Sequence, residues 1–502
     1  MFCKKIISFA AVLVSFSCFA SEIRVSSQEE FDAVGASIQR EIARGEKEVR
    51  VVISPGQYFF RESHIDFIKV KRPDVSLSIE GHGAFLTGEG KKGPFDLGTG
   101  FIDLKGRTAM PAFHQMKNAL GIVEFLDAES GLCRMPVDEK PVKAKKVSNM
   151  YILLTQAYLG RYYPVRDISD GYVYFYAPGA DGNSVNSSIN PNRDHMYGKV
   201  LPRYALVNNP VSKELRVTAK GKIKSPSGSK VIRCDAGCFL SIRACEFKSL
   251  KVSGLNFLGS GGSEPLLHLY RSSLEGAQVS GCTFDGIKGD VLRIIATSNV
   301  SFKDNTVRNC HTNGVYSRYE SARTVVSGNR FYNNGTDVSQ YFCVICRGSD
   351  FLISDNYFED FTYAAIDVGV WYKSDEPHIC SGIVENNECC LSPSYNSGVY
   401  RNLMDSGAIY TGTINEDVTI RNNYVHDISG PRDNRGIFCD DGTVNVKLIG
   451  NRVERIANSF CIDLRLVLSV ETIPGSRIKK VNVGNVLKDN VVDGKVRFEN
   501  RD

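Results

Sequence analysis

The chain has 502 residues, 42% hydrophobic and 23% charged, with 61 Lys plus Arg against 56 Asp plus Glu and a net charge of +5. This is globular chemistry, which excludes a disordered chain, and so small a charge excess gives no sign of a nucleic-acid partner. The length exceeds the ~100–200 residues of an ordinary domain, so the chain holds either several domains or one elongated repeat.

Residues 1–20 read as an export signal. Lys4 and Lys5 supply the positive start, Ile6 to Phe16 the apolar run, and Ala20 a small residue before cleavage at Ser21. The run is too short for a membrane span, and no later stretch reaches the ~18 consecutive apolar residues a span requires. The mature protein is therefore expected to be exported, periplasmic or extracellular, and without a transmembrane segment. Acylation at Cys18 is the less favoured alternative, because Ser15, Phe16 and Ser17 lack the Leu of a lipoprotein signal. Of fifteen Cys, Cys3 and Cys18 leave with the signal, and the remaining odd number cannot all pair. Most lie inside apolar runs such as Phe342-Cys343-Val344-Ile345-Cys346, which reads as buried core thiols rather than a disulfide framework. Cys343 and Cys346 lack the helix start or second pair that a redox or zinc site would need. No metal and no cofactor are expected.

In the mature chain, Phe31, Val34, Ile38 and Ile42 fall on one face of a helix. Val49–Tyr58 and Leu77–Gly83 then read as strands and a turn, and residues 21–99 are assigned to an N-terminal cap and a first coil. Residues 100–225 carry strand-like runs such as Met150–Thr155 and Gly171–Tyr176, but no repeat. They are assigned to an inserted β-rich domain, whose rim is the aromatic and basic stretch Tyr158–Tyr163.

From residue 226 to 502 a short motif recurs, centred on Leu255, Cys282, Asn305, Asn329, Asn356, Asn387, Asn423, Asn451 and Asn490. Its shortest spacing, Cys282 to Asn305 to Asn329, is 23 to 24 residues, the length of one turn of a coil; longer spacings place loops on one side. No single unit can bury its apolar face, but stacked units share a core. The fold class is all-β, a parallel β-solenoid with the helix covering its open end. An Asn recurring at a bend can stack on its neighbours and bond their backbones.

On these residues the sequence resembles the right-handed parallel β-helix proteins of the pectate-lyase-like superfamily, over roughly residues 23–95 and 230–500. Strand alternation then assigns outward side chains. After each motif, the second and fourth strand positions carry His268, Arg293, Tyr316, Arg318, Arg347, Asp367, Tyr410, Asp440, Asp463 and Arg465. Stacked ~4.8 Å apart, they would line one polar and aromatic wall, which reads as a glycan groove. Met404-Asp405-Ser-Gly-Ala-Ile-Tyr410, Tyr424-Val-His426-Asp427 and Ile437-Phe-Cys-Asp440-Asp441-Gly are similar to elements of β-helix glycoside hydrolases. The resemblance implies an exported carbohydrate-active enzyme with Asp405 and Asp440 catalytic and Asp441 a close rival. Glycoside cleavage needs one protonated carboxyl and one carboxylate, and two crowded Asp drive each other's pKa apart. Tyr410, Asp367, Arg347, Arg318, Tyr316, His268 and Arg465 are the candidate substrate-binding residues, the arginines suited to an acidic glycan. The expected partner is a poly- or oligosaccharide, and the expected state a monomer. Two other readings stay open: a polysaccharide lyase using Arg347, His268 and Tyr410, and a non-catalytic glycan-binding protein. For Asp405 and Asp440-Asp441-Gly the bland alternative is turn and cap chemistry. His426-Asp427 is expected to be a structural hydrogen bond at a bend.

Overall fold

The computed structural model describes residues 21–89, 236–335, 340–370, 380–393, 405–412, 415–429, 434–440, 442–457, 459–465 and 484–498, together with strands and turns between 112 and 233. The signal reading of residues 1–20 and Asp441 lie outside the described residues. Among the described residues no helix is long and apolar enough to cross a membrane.

The expected parallel β-helix is the observed architecture. Three parallel sheets of twelve, eleven and eleven strands run the length of the coil, and each strand pairs with its counterpart in the next coil. The first begins with Ser21–Val25, Glu48–Ile53 and Lys71–Glu80 and continues at Glu246–Ser253. The second, which carries the wall residues, runs from Ile65–Ile68 through Leu240–Arg243 to Lys495–Phe498. The third runs from Gly56–Phe60 through Asn256–Ser260 to Val491–Val492. The chain leaves this stack after Gly88 and returns at Ala236, whose amide donates to Glu89 O at 3.1 Å. Between them lie antiparallel strands, seven of which form one sheet that includes Met150–Gln156, Leu159–Ser169 and Tyr172–Tyr176.

The expected capping helix is two helices. Gln28–Asp32 and Val34–Ala43 meet at Ala33, and Phe31, Val34, Ile38 and Ile42 are all buried, so one apolar face survives the break. Ser27 caps the first helix, its Oγ accepting from Glu30 N at 3.2 Å while Glu30 accepts from Ser26 N at 2.7 Å.

The recurring Asn is explained by its contacts. Asn305, Asn329, Asn356, Asn387, Asn423 and Asn451 are at most 2% exposed. The Asn356 Oδ1 accepts from the Asn329 amide at 3.0 Å and from Asn329 Nδ2 at 2.9 Å, while its own Nδ2 donates to Val326 O and to Asn387 Oδ1 at 2.9 Å each. The same pattern repeats from Asn305 to Asn490. The ladder satisfies backbone groups at a bend that no sheet can reach. The residue before each Asn sits in the left-handed region, at Asp355 (φ 59°), Gly328 (φ 68°) and Asn422 (φ 54°), which is why the motif opens with Gly, Asp or Asn. Inside the coil, aromatic rings stack in the same vertical sense: Phe257 on Phe284 at 5.2 Å and Phe331 on Phe358 at 4.8 Å.

The cysteines behave as core. Twelve described Cys are free and buried, and burial, ahead of the Asp367 charge, pushes the Cys346 thiol up to about 12.

Two outcomes follow from this packing. Asn356→Ala leaves buried partners on two neighbouring coils without a bond, at about 1–3 kcal/mol each. It should lower stability by roughly 3 kcal/mol in chemical denaturation, whereas exposed substitutions nearby should be neutral. Thiol titration should be slow on the native protein and, in denaturant without reductant, should count at least the twelve buried Cys per chain. A count near one would mean that the thiols are paired.

Candidate active site

The wall is built by register. Ser241, His268, Arg293, Tyr316, Ile345, Asp367, Tyr410, Phe438, Asp463 and Arg497 pair in sequence from coil to coil, forming one outward column on the second sheet. Beside it, Arg243, Tyr270, Ile295 and Arg318 form a second column, and Arg347 extends it through its amide bond to Ser317 O at 2.9 Å.

The wall is continuous in register but not uniformly exposed. Its first half borders a cleft of ≈ 900 Å³ lined by His268, Tyr270, Arg271, Arg293, Tyr316 and Tyr319, among others. Here cations stand over rings: Arg293 and Arg318 lie 5.4 and 5.3 Å from the Tyr316 centroid, and Arg271 lies 5.3 Å from that of Tyr270. Arg318 also donates to the Tyr316 hydroxyl. His268 is pulled down to about 4, first by burial and then by Arg293 and Arg243, so near neutral pH it is an uncharged imidazole.

In the second half the polar groups are buried and paired with one another. Asp367 is fully buried and Arg347 grips it, with Nε and an Nη at 2.9 and 2.6 Å from the same Oδ2. Its Oδ1 is buried without a partner. Burial outweighs Arg347 and holds the Asp367 carboxyl above its ordinary range. Tyr410 donates its hydroxyl to Asp440 Oδ2, and both residues are at most 9% exposed. The Tyr410 phenol is raised well above its ordinary value, by burial first, then by Asp440 and, more weakly, by Tyr363 and Asp405. Tyr363 donates to the backbone carbonyl of Asp405.

Asp405 and Asp440 stand at opposite ends of a strand pair. Asp405 precedes Ser406–Thr411 in the left-handed conformation (φ 61°), and Asp440 follows Asn434–Cys439. Two neighbouring phenols bridge them: Tyr363, bonded to the Asp405 carbonyl, and Tyr410, bonded to Asp440, have ring centroids 6.1 Å apart, and burial first, then both charges, raise each phenol. The left-handed φ also shows that turn chemistry at Asp405 is part of its role, since Asp tolerates this conformation.

The sequence reading passed over Arg435, which is 1% exposed and joins Asp405 to Asp463. Its Nε donates to Asp463 Oδ2 at 2.8 Å, an Nη reaches Asp405 Oδ1 at 3.3 Å, and its guanidinium lies 4.0 Å from the Phe438 ring centroid. Strict alternation puts Arg435 on the core side with Ile437, so no sequence signal marked it. Asp463, fully buried, also accepts from Arg465 at 3.2 Å and Arg497 at 2.6 Å. Three arginines grip it, which makes it a framework group, and Arg465 belongs to that framework too. Elsewhere, His426 faces Asp427 at 2.6 Å, the hydrogen bond expected from the motif. Arg435→Ala would leave the buried Asp463 carboxylate short of a cation and should cost about 3–5 kcal/mol. Denaturation of Arg435→Ala beside Arg435→Lys measures it, with the Lys variant expected to recover part of the loss.

The family model that matches describes a right handed beta helix region and covers residues 230–390. No curated protein matches the chain by sequence. Among solved structures, one titled "Glycoside hydrolase" superposes with a TM-score of 0.54 at 12% identity, over 94% of this chain and 97% of that one. A second, "The complex structure of XylC with xylose", gives a TM-score of 0.39 at 8% identity over 82% and 64% of the two chains. With the three continuous parallel sheets, these findings establish the fold as a right-handed parallel β-helix.

Proposed function

We propose that the protein is a glycoside hydrolase acting on a poly- or oligosaccharide, with Asp405 and Asp440 as its catalytic carboxylates. The observation that carries the reading is the Tyr410–Asp440 hydrogen bond, buried midway along a wall of carboxylates, arginines and rings. Hydrolysis of a glycosidic bond needs a proton at the leaving oxygen and a carboxylate on the other side of the sugar. A phenol donating to Asp440 supports its ionised form, as a base or nucleophile requires. Asp405 keeps part of its side chain, 19%, open to solvent, which suits a group that must meet substrate. Asp367 is the second candidate partner for Asp440, because burial favours its protonated form.

The cleft lies on the same sheet, and its near edge at Tyr316 is about 14 Å or three coils from Tyr410. Sugars would stack on Tyr270, Tyr316 and Tyr319, and Arg271 and Arg293 favour an acidic glycan. The similarity in fold to a structure titled "Glycoside hydrolase" accords with this reading.

One observation favours a lyase instead: His268 is an uncharged imidazole among arginines, the arrangement for neutralising a uronate and removing a proton from it. Incubation with a panel of neutral, uronate-containing and sulfated glycans separates the readings. A plain reducing sugar indicates hydrolysis, an unsaturated uronate a lyase, and retention on a glycan column without products a binding protein.

On a cleaved substrate, Asp405→Asn and Asp440→Asn should each lower kcat by several orders of magnitude, since Asn can neither donate nor accept the proton. Asn at 440 can still accept from Tyr410, so its melting temperature should move by only a few degrees. Full activity in both variants would remove the hydrolase assignment from these residues, and loss in Asp441→Asn alone would transfer it by one position.

A further inference from the structure

We propose that Glu388, Cys390 and His426, on the third sheet and apart from the wall, bind a zinc-type divalent ion. The residues come together through register. Glu388–Cys390 pairs with Tyr424–His426 in the next coil, so Cys390 and His426 are direct neighbours in one outward column and Glu388 stands beside them. The donor atoms of the three all lie within 4.8 Å of one another.

The imidazole supplies the argument. His426 Nδ1 lies 2.6 Å from Asp427 Oδ2, and its Nε2 lies 3.2 Å from Glu388 Oε1. Nδ1 is engaged by Asp427, while Nε2 and Glu388 Oε1 face each other with the Cys390 sulfur close by, so a cation placed among them would meet three donor atoms. The spacing suits it, because two zinc bonds of about 2.0–2.1 Å at a tetrahedral angle separate N and O by about 3.3 Å.

The support around the ring is the kind that orients a metal-bound histidine. Asp427 is itself held by Arg455 at 2.7 and 2.9 Å, and Tyr424 stacks on the ring with centroids 4.2 Å apart. Cys390 is 7% exposed, with the Tyr357 hydroxyl 3.6 Å from its sulfur. One thiolate, one imidazole and one carboxylate select zinc over calcium or magnesium, which want oxygen ligands. Three protein ligands leave a fourth position for water, and the ion would tie two successive coils together.

The test uses the full chain, stripped with a chelator, reloaded with zinc or cobalt(II) and dialysed. One zinc per chain should be retained, and cobalt should give a thiolate-to-metal charge-transfer band. Cys390→Ser should abolish the band. Glu388→Gln, at a side chain 45% exposed and so safe for folding, should weaken zinc binding at least ~10-fold. Asp427→Asn should weaken it by about 10–100-fold. Circular dichroism checks that each variant is folded. The proposal is overturned if the wild-type chain retains no zinc. Zinc retention equal to wild type in both Glu388→Gln and Cys390→Ser would overturn it as well.

Discussion

The structure depends on vertical stacking at the strand spacing, and above all on the Asn ladder that holds it. A parallel coil bends three times per turn, and each bend interrupts the sheet hydrogen bonds that would satisfy the backbone. From Asn305 to Asn490 one side chain per coil bridges that interruption to the coil above and the coil below. Because each Asn bonds its neighbours, no coil can slip by a residue without breaking two others. Register is thereby fixed for every column in the molecule, core and surface alike.

Fixed register gives the wall its electrostatics. Like positions are superposed, so the side chains that share a column meet whatever their charge. Where the column offers Tyr316 beside Arg293 and Arg318, the result is an open cleft of cations over rings. Where it offers Asp367, Tyr410 and Asp463, the carboxylates must find partners, and Arg347, Arg435, Arg465 and Arg497 supply them. Burial there makes each pairing obligatory, since an uncompensated charge in that position would neutralise or unfold its surroundings. Asp440 is the member of this group that a hydroxyl engages, which sets it apart from the arginine-held Asp463.

The same logic acts on the third sheet. Stacking brings Cys390 and His426 into direct register, and Asp427 follows His426 at a left-handed bend, where its carboxylate can turn back to the ring. A solenoid thus makes two-coil side-chain clusters without a tertiary fold of greater complexity, and it makes them on every face.

The sequence by itself determined the solenoid, the apolar helical face that covers its open end, and the outward columns. Each follows from a period: one repeat per coil, the helical spacing of Phe31, Val34, Ile38 and Ile42, and the two-residue alternation that exposes His268, Tyr316, Asp367 and Tyr410. It also determined that the Cys are core, because they occupy apolar positions of those periods. Tertiary structure decided what a period cannot express. The helical face breaks at Ala33 into two helices. The far half of the wall is buried, although alternation marked it only as outward; pointing away from the coil interior does not decide how much solvent reaches a side chain. Arg435 reaches Asp405 and Asp463 rather than the core, because its neighbour Gly436 faces the core beside Val453 and Ile437 does so too, which breaks the alternation. Glu388, Cys390 and His426 converge across coils separated by a loop whose length hides their neighbourhood in the chain. These are matters of side-chain reach and solvent access, which only the folded arrangement of several coils defines.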